Sequence, residues 1–254
     1  MAAPWAWRTF PGKDQEHNGM SDGDTGEYND AWLVIPAYNE GQVIAEVIEK
    51  ARLTFPNIVV VDDGSTDDTV THVLGTGAHL VRHWVNLGQG AALQTGLSYA
   101  LLRPGARYFA TFDADGQHQT QDVERMVELL RTDTADVVLG SRFIEQTDEV
   151  PRIKRVVLRT AAAVSPTARK LQLTDSQNGL RVFNRKAAAG LQITMNRMAH
   201  ASEIVRYLAK SDLRVVEVPV DILYTEYSRS KGQSLINGVN ILFDISLSAR
   251  NSRH

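Results

Sequence analysis

Tyr108-Phe-Ala-Thr-Phe-Asp113-Ala-Asp115-Gly-Gln117-His118 is the stretch whose reading decides the fold. An apolar, aromatic-led run passes directly into two carboxylates one residue apart, as in a buried strand that ends at a polar cleft. In a parallel α/β sheet, ligands bind beyond the carboxyl ends of the strands, which puts Asp113 and Asp115 at that cleft. Extended chain places residues i and i+2 on one side, so the two carboxylates repel unless a cation sits between them. A hard divalent ion, Mg2+ or Mn2+, suits such a pair, with its shell completed by substrate phosphates and water. Taken alone, Asp-x-Asp is more often a mere acidic turn; the surrounding chain shifts that balance.

Working outward, Ala31 to Ile35 reads as a buried strand that Pro36 ends, followed by Tyr38-Asn-Glu40 and a helix with Val43, Ile44, Val47, Ile48 and Ala51 at helical spacing. Ile58 to Val61 is a second strand, ending in Asp62-Asp63-Gly64-Ser65-Thr66-Asp67-Asp68. There Ser65 or Thr66 is expected to cap the next helix, with Asp67 and Asp68 in its first turn. His79 to Arg82 leads to Asn86-Leu-Gly-Gln-Gly90 and a helix through Leu102. After the focal strand come a helix from about Asp122 to Arg131, then Asp136 to Leu139 and Gly140-Ser-Arg142. Strands alternating with helices predict a doubly wound, mainly parallel α/β sheet. Polar or acidic residues follow four strand ends in order, which suits a cation-bearing, phosphorylated ligand. Neither G-x-x-x-x-G-K-[ST] nor G-x-G-x-x-G is present.

At 254 residues the chain is long enough for one large α/β domain. Its net charge of −3 gives no general affinity for nucleic acid. Residues 1–30 hold Arg8 and Lys13 against six acids, and read as an acidic, disordered leader ahead of a domain over 31–233. Zero cysteines exclude disulfides and thiolate metal sites and suit a reducing compartment. No signal peptide is read at the N-terminus, and no uncharged apolar stretch reaches the roughly 18 residues that cross a bilayer. Residues 151–170 carry Arg152, Lys154, Arg155, Arg159, Arg169 and Lys170 without an acid, interleaved with apolar residues. That reads either as an ordinary surface helix or as a helix on an anionic membrane face or a phosphate. Residues 234–254 read as an amphipathic helix, facing a membrane or partner or packing on its own domain.

Taken together, Ile35-Pro-Ala-Tyr-Asn-Glu40, Val61-Asp-Asp-Gly-Ser65, Asn86-Leu-Gly-Gln-Gly90, Asp113-Ala-Asp-Gly-Gln-His118, Gly140-Ser-Arg142, Asn178-Gly-Leu-Arg181 and Arg229-x-x-Gly-x-Ser234 resemble glycosyltransferase family 2, in its dolichyl-phosphate mannose synthase-like, polyprenyl-phosphate branch. The resemblance covers about residues 31 to 235 and implies a Rossmann-like GT-A fold. It also implies that Pro36, Tyr38, Glu40, Asp62 and Asp63 hold the nucleoside, and that Asp113, Asp115 and Gln117 handle the metal and sugar-diphosphate. Arg142 and Arg155 would meet an acceptor phosphate, and Arg229 would reach the donor diphosphate. Gly88, Ala114, Ser141, Arg181, Lys231 and Ser234 would line the substrates. The family usually has lysine where this chain has Leu235, with Lys231 nearby.

The implied reaction is an inverting, metal-dependent transfer from a nucleotide sugar, with UDP-N-acetylgalactosamine or UDP-glucose as first guess, to polyprenyl phosphate. The implied setting is cytoplasmic and peripheral at the inner membrane face, beside a small integral membrane protein. Two alternatives stand: transfer to a glycan hydroxyl, which needs a carboxylate or His as base, and a silent nucleotide-sugar-binding subunit. Asp148, Glu149, Asp175 and Glu203 are the possible bases after residue 142, and none is distinctive in sequence.

Overall fold

The computed structural model describes residues 8–10, 27–144, 171–195 and 199–223. The strands are β1 (Arg8–Phe10), β2 (Ala31–Ala37), β3 (Asn57–Asp62), β4 (His79–Arg82), β5 (Tyr108–Thr111), β6 (Val137–Ser141), β7 (Arg181–Asn184) and β8 (Val215–Pro219). The helices are α1 (Ile44–Arg52), α2 (Thr69–Gly75), α3 (Gln89–Leu101), α4 (Thr120–Arg131), α5 (Arg185–Gly190) and α6 (Ala199–Lys210). All the strands join one sheet in the order β1-β4-β3-β2-β5-β7-β6-β8. β4, β3, β2 and β5 run parallel, as do β6 and β8, while β7 is antiparallel to both its neighbours and β1 to β4. The mainly parallel α/β sheet expected from the sequence is what forms.

The near-continuous apolar runs of β2 and β3 follow from burial on both faces. Leu33, Ile35, Ile58, Val60 and Leu80 pack with Ile44 and Ile48 of α1 and Val123, Met126 and Val127 of α4. The alternate residues Val34, Val59, Val61, Val81 and Phe109 pack with Leu93 and Leu97 of α3 and Ile204 and Leu208 of α6. Each such large apolar side chain contributes roughly 1.5–3 kcal/mol on burial. The winding runs β2, β3, β4 in one direction and then crosses back through α3 to β5 on the other side of β2. Reversal of strand order between β2 and β5 opens a crevice at their carboxyl ends, where ligands of open α/β sheets bind.

Three expectations need amendment. Pro36 does not end its strand but lies within β2, paired in register with Val61. The Val34 carbonyl accepts the Phe112 N–H on the β5 side, and Pro36, two residues on, points the same way, just beyond the last β5 pair, Val34 with Thr111. Its missing N–H therefore removes a bond only where the two strands part. Residues 8–10, within the expected leader, form edge strand β1. Order also precedes Ala31: Tyr28 is buried, lies under the Arg131 guanidinium, and Arg131 binds Asp30 at 2.8 Å.

The end of the sheet away from the crevice is closed by Asp136. Its carboxylate takes bonds from the Arg214 side chain at 3.1 Å, the Arg214 N–H at 2.9 Å and Asn184 Nδ2 at 2.9 Å, joining β6, β7 and β8. The Arg214 side-chain bonds, against the opposing cost of burial, hold the Asp136 carboxyl down at about 2. A depressed carboxylate stabilises the fold above its unfolded pKa of about 3.9, and the contribution fades as the pH drops toward 2. Asp136→Asn is expected to cost about 1–2 kcal/mol at neutral pH, reduced by solvent screening of half-exposed Arg214. Thermal melts across pH should show the gap to wild type closing between about pH 4 and 2.

Candidate active site

At the carboxyl ends of β2 and β3 the two following turns are fastened together by backbone donors. Asn39 N–H donates to Ser65 Oγ at 2.9 Å, Glu40 N–H to Thr69 Oγ1 at 2.9 Å, and Gly41 N–H to Asp67 Oδ2 at 3.0 Å. Asn39 adopts φ 54°, a left-handed conformation that asparagine tolerates. The expected cap by Ser65 or Thr66 does not form: the N-cap of α2 is Asp68, and the Ser65 hydroxyl serves the neighbouring turn instead. This frame holds Tyr38 at the surface, 45% exposed, just past Pro36.

The two carboxylates ending β3 are engaged inside the protein. Asp62 is fully buried, pairs with Arg82 Nε at 3.2 Å and accepts the Ser65 N–H. Asp63 accepts the N–H groups of Leu87 at 2.9 Å and Gly88 at 2.7 Å, and contacts His83 Nδ1 at 2.7 Å. Burial raises its pKa, but His83 and the two backbone donors outweigh that and hold the carboxyl below its usual range. Asp63 thus anchors the 86–90 loop, where Gly88 at φ 94° supplies the turn into α3.

Beyond β5, the two acidic residues have different surroundings. Asp113 accepts from Gln89 Nε2 at 3.2 Å and contacts His118 Nε2 at 3.0 Å. Burial pushes its carboxyl up, yet His118, with His200 and Arg181, more than compensates and holds it down. Asp115 accepts, among the described residues, only the Gln117 N–H at 3.1 Å. Burial first, and then the charge of Asp113, push its carboxyl up to about 6. Ala114 and Gln117 are buried beside them. Gly179, ahead of β7, lies so close that a Cβ there would sit 2.6 Å from Asp113 Oδ2.

On the far side of β7, Arg142 is held by Asp175 through Nε at 2.6 Å and Nη2 at 2.8 Å, and its own N–H donates to the same carboxylate at 3.2 Å. Asp175 is almost fully enclosed, whereas Arg142 keeps 17% of its side chain exposed. Arg181 is buried between Asp113 and Asp175, both of which favour its charge, while burial lowers its pKa to about 10. The Ser141 hydroxyl contacts Thr174 Oγ1 at 2.6 Å and accepts the Phe143 N–H at 3.1 Å. Glu40 and Asp113 thus act on Asp115, Gln117 bonds to it, and Arg181 joins Asp113 to the Asp175–Arg142 pair, while Tyr38 stands exposed just past Pro36. Arg155, Arg229, Lys231 and Ser234, the basic helix over 151–170 and the helix over 234–254 lie outside the described residues.

Residues 32–191 match the family model described as Glycosyl transferase family 2. The chain belongs to that family. The UDP-N-acetylglucosamine–dolichyl-phosphate N-acetylglucosaminyltransferase of Methanococcus voltae is 31% identical over 234 residues, covering 84% of this chain and 93% of its own. The polyprenol monophosphomannose synthase of Mycolicibacterium smegmatis is 26% identical over 259 residues, covering 92% of this chain and 91% of its own. Among solved structures, glucosyl-3-phosphoglycerate synthase from Mycobacterium tuberculosis, crystallised with Mn2+, UDP and glucosyl-3-phosphoglycerate, superposes with a TM-score of 0.58 at 19% identity, covering 85% of this chain and 80% of its own. That likeness establishes the GT-A fold, and the family makes this chain a glycosyltransferase.

Asp113 is already balanced by Gln89 and His118, whereas Asp115 is short of positive charge. Among the described residues, no cluster of three or more His, Cys, Asp or Glu is arranged to hold an ion unaided. An ion bound by Asp115 and completed by diphosphate oxygens and water fits this donor set. Sequence alone assigns no role to Gln89, His118, His83 or Glu217. Gln89 and His118 stand inside the family motifs, whereas His83 and Glu217 carry no local signature.

Proposed function

We propose that this glycosyltransferase moves a sugar from a nucleotide sugar to polyprenyl phosphate, with inversion and with help from Mg2+ or Mn2+. The observation that carries the reading is the state of the described carboxylates after residue 142 that could serve as a base. Asp175 is locked bidentately on Arg142, Glu203 accepts the N–H groups of Thr194 and Met195, and Glu217 accepts those of Thr174 and Asp175. None of these three is poised to take a proton from a hydroxyl acceptor; Asp148 and Glu149 lie outside the described residues. A phosphate acceptor is already ionised at neutral pH and needs a fixed cation, which Arg142 supplies. The Methanococcus voltae and Mycolicibacterium smegmatis relatives, named for dolichyl-phosphate and polyprenol substrates, support the same acceptor class.

In this mechanism Tyr38 and Glu40 border the nucleoside, with Asp62 and Asp63 holding the turns around it. Asp115 turns its carboxylate toward the donor diphosphate, and Asp113, fixed by His118 and Gln89, holds the turn on which Asp115 sits. A bound divalent ion supplies charge neutralisation to the departing diphosphate. Arg142, joined by Arg155, orients the acceptor phosphate so that its oxygen forms the new bond at the anomeric carbon from the face opposite the breaking C–O bond. Arg229 reaches the leaving diphosphate, which departs as nucleoside diphosphate carrying the bonding electron pair.

No helix among the described residues is long and apolar enough to cross a membrane. In the proposed reaction the lipid acceptor is met at the membrane surface, with the basic stretch 151–170 and the apolar face of 234–254 as the contacts their sequences suit. Incubating the protein in membranes with labelled nucleotide sugars and polyprenyl phosphate is expected to put chelator-sensitive label into the organic phase. Absence of such label with every donor of a UDP- and GDP-sugar panel would overturn the acceptor reading.

A further inference from the structure

We propose that Glu217 is a positioning residue for the acceptor phosphate, fixing the guanidinium of Arg142 through the Thr174–Asp175 turn; this rests on the acceptor reading above. Glu217 lies on β8 in register with Leu139 of β6, three residues before Arg142. Its Oε1 accepts the Asp175 N–H at 2.8 Å, and its Oε2 accepts the Thr174 N–H at 2.8 Å and the Thr174 hydroxyl at 2.8 Å. A hydroxyl has one proton, so once Thr174 donates to the carboxylate it must accept from Ser141 at their 2.6 Å contact. Ser141 in turn accepts the Phe143 N–H. A relay from the Phe143 N–H through the Ser141 and Thr174 hydroxyls therefore ends on one acceptor-only group, Glu217. The turn so fixed presents Asp175, whose carboxylate takes three bonds from Arg142.

Two successive backbone N–H groups on one carboxylate fix the direction of the following side chain, and Asp175 is that side chain. Glutamine at 217 has a single acceptor oxygen and would aim an amide N–H2 at one of those donors. The expected result of Glu217→Gln is a loosened Asp175 and an Arg142 that no longer waits in place for its anion. The competing explanation is that Glu217 merely ties β8 to a loop and acts on overall stability alone.

Two readouts on the full-length protein separate these. In 15N NMR spectra of the arginine Nε–H groups, with Arg142 assigned through Arg142→Lys, Glu217→Gln should speed solvent exchange of the Arg142 proton at least about tenfold. Glu203→Gln, which disturbs a carboxylate holding backbone N–H groups elsewhere, should leave that proton unchanged. In kinetics, Glu217→Gln should raise the KM for polyprenyl phosphate about ten- to hundredfold while the nucleotide-sugar KM stays within about twofold. The same substitution should add nothing in an Arg142→Ala background. Glu217→Asp, which keeps the charge one methylene short, should recover part of both properties and serves for every measurement if the glutamine variant does not fold. An unchanged Arg142 proton, parallel rises in both KM values, or additivity with Arg142→Ala would each overturn the proposal. A loosened Arg142 proton in a protein that transfers nothing to polyprenyl phosphate would uphold the positioning and refute the acceptor.

Discussion

Asp115→Asn is expected to lower turnover about 10³-fold while leaving the melting temperature unchanged or slightly raised. The two effects have opposite signs for one physical reason. Asp115 is pushed up to about 6 by burial and by the charge of Asp113, so in the free protein its negative charge is a strain that asparagine removes. That same charge is what Asp115 offers to a cation at the donor diphosphate. Asp113 differs, because its two carboxylate oxygens are bonded one by Gln89 and one by His118, and asparagine leaves a single acceptor oxygen for the two contacts. Asp113→Asn should therefore lose both activity and stability. Steady-state turnover beside thermal melts of the two variants makes the comparison, and an Asp115→Asn protein retaining most of its turnover would remove Asp115 from the metal assignment. Loss of melting temperature in that variant equal to that of Asp113→Asn would show that the two carboxylates are not in different states.

Gly179→Ala carries the second large effect. Its new methyl would sit 2.6 Å from Asp113 Oδ2 and 3.2 Å from the carboxyl carbon, distances at which something must move. The carboxylate has little freedom to yield, because His118 and Gln89 hold it from two directions. A displacement of about 1 Å at a reacting site costs on the order of 10²-fold in rate, and overpacking costs about 1–3 kcal/mol in stability. Gly75→Ala is the control: its new methyl would meet no atom within 4 Å, and alanine is the better helix former by up to about 1 kcal/mol. A Gly179→Ala enzyme with wild-type turnover would mean that the position of Asp113 is not critical.

Much of the architecture was legible because it depends on local pattern. Unbroken apolar runs such as Leu33 to Ile35 and Ile58 to Val61 announce strands covered on both faces, and the acids that follow them mark one edge of the sheet. Asp113 and Asp115 could be placed at a cleft on that basis alone. What their neighbours do could not, since it depends on which residues the fold brings across. Asp62 and Asp63 look alike in sequence; one meets Arg82 and the other the 86–90 loop only because β4 pairs beside β3 with Asp62 opposite Arg82. Glu217 reaches Thr174 from 43 positions away, on a strand whose alternation gives no hint of such an acceptor. Pro36 misled for the opposite reason: as a local signal it ends strands, but the missing donor happens to point where β2 and β5 diverge.

The reversed direction of β7 has a consequence for how such enzymes can be recombined. The segment from Thr174 to Arg181 reaches both Arg142 and Asp113 within eight positions: Asp175 grips Arg142, while Gly179 abuts Asp113 and Arg181 lies charged between the two acids. Grafting a different acceptor module onto this scaffold therefore allows no junction inside that segment. A chimera broken there would inherit an arginine tuned to one parent's aspartate and a glycine shaped to the other's. A crossover placed in the last turns of α4, beyond the residues bonded to either carboxylate, keeps the inherited pieces compatible.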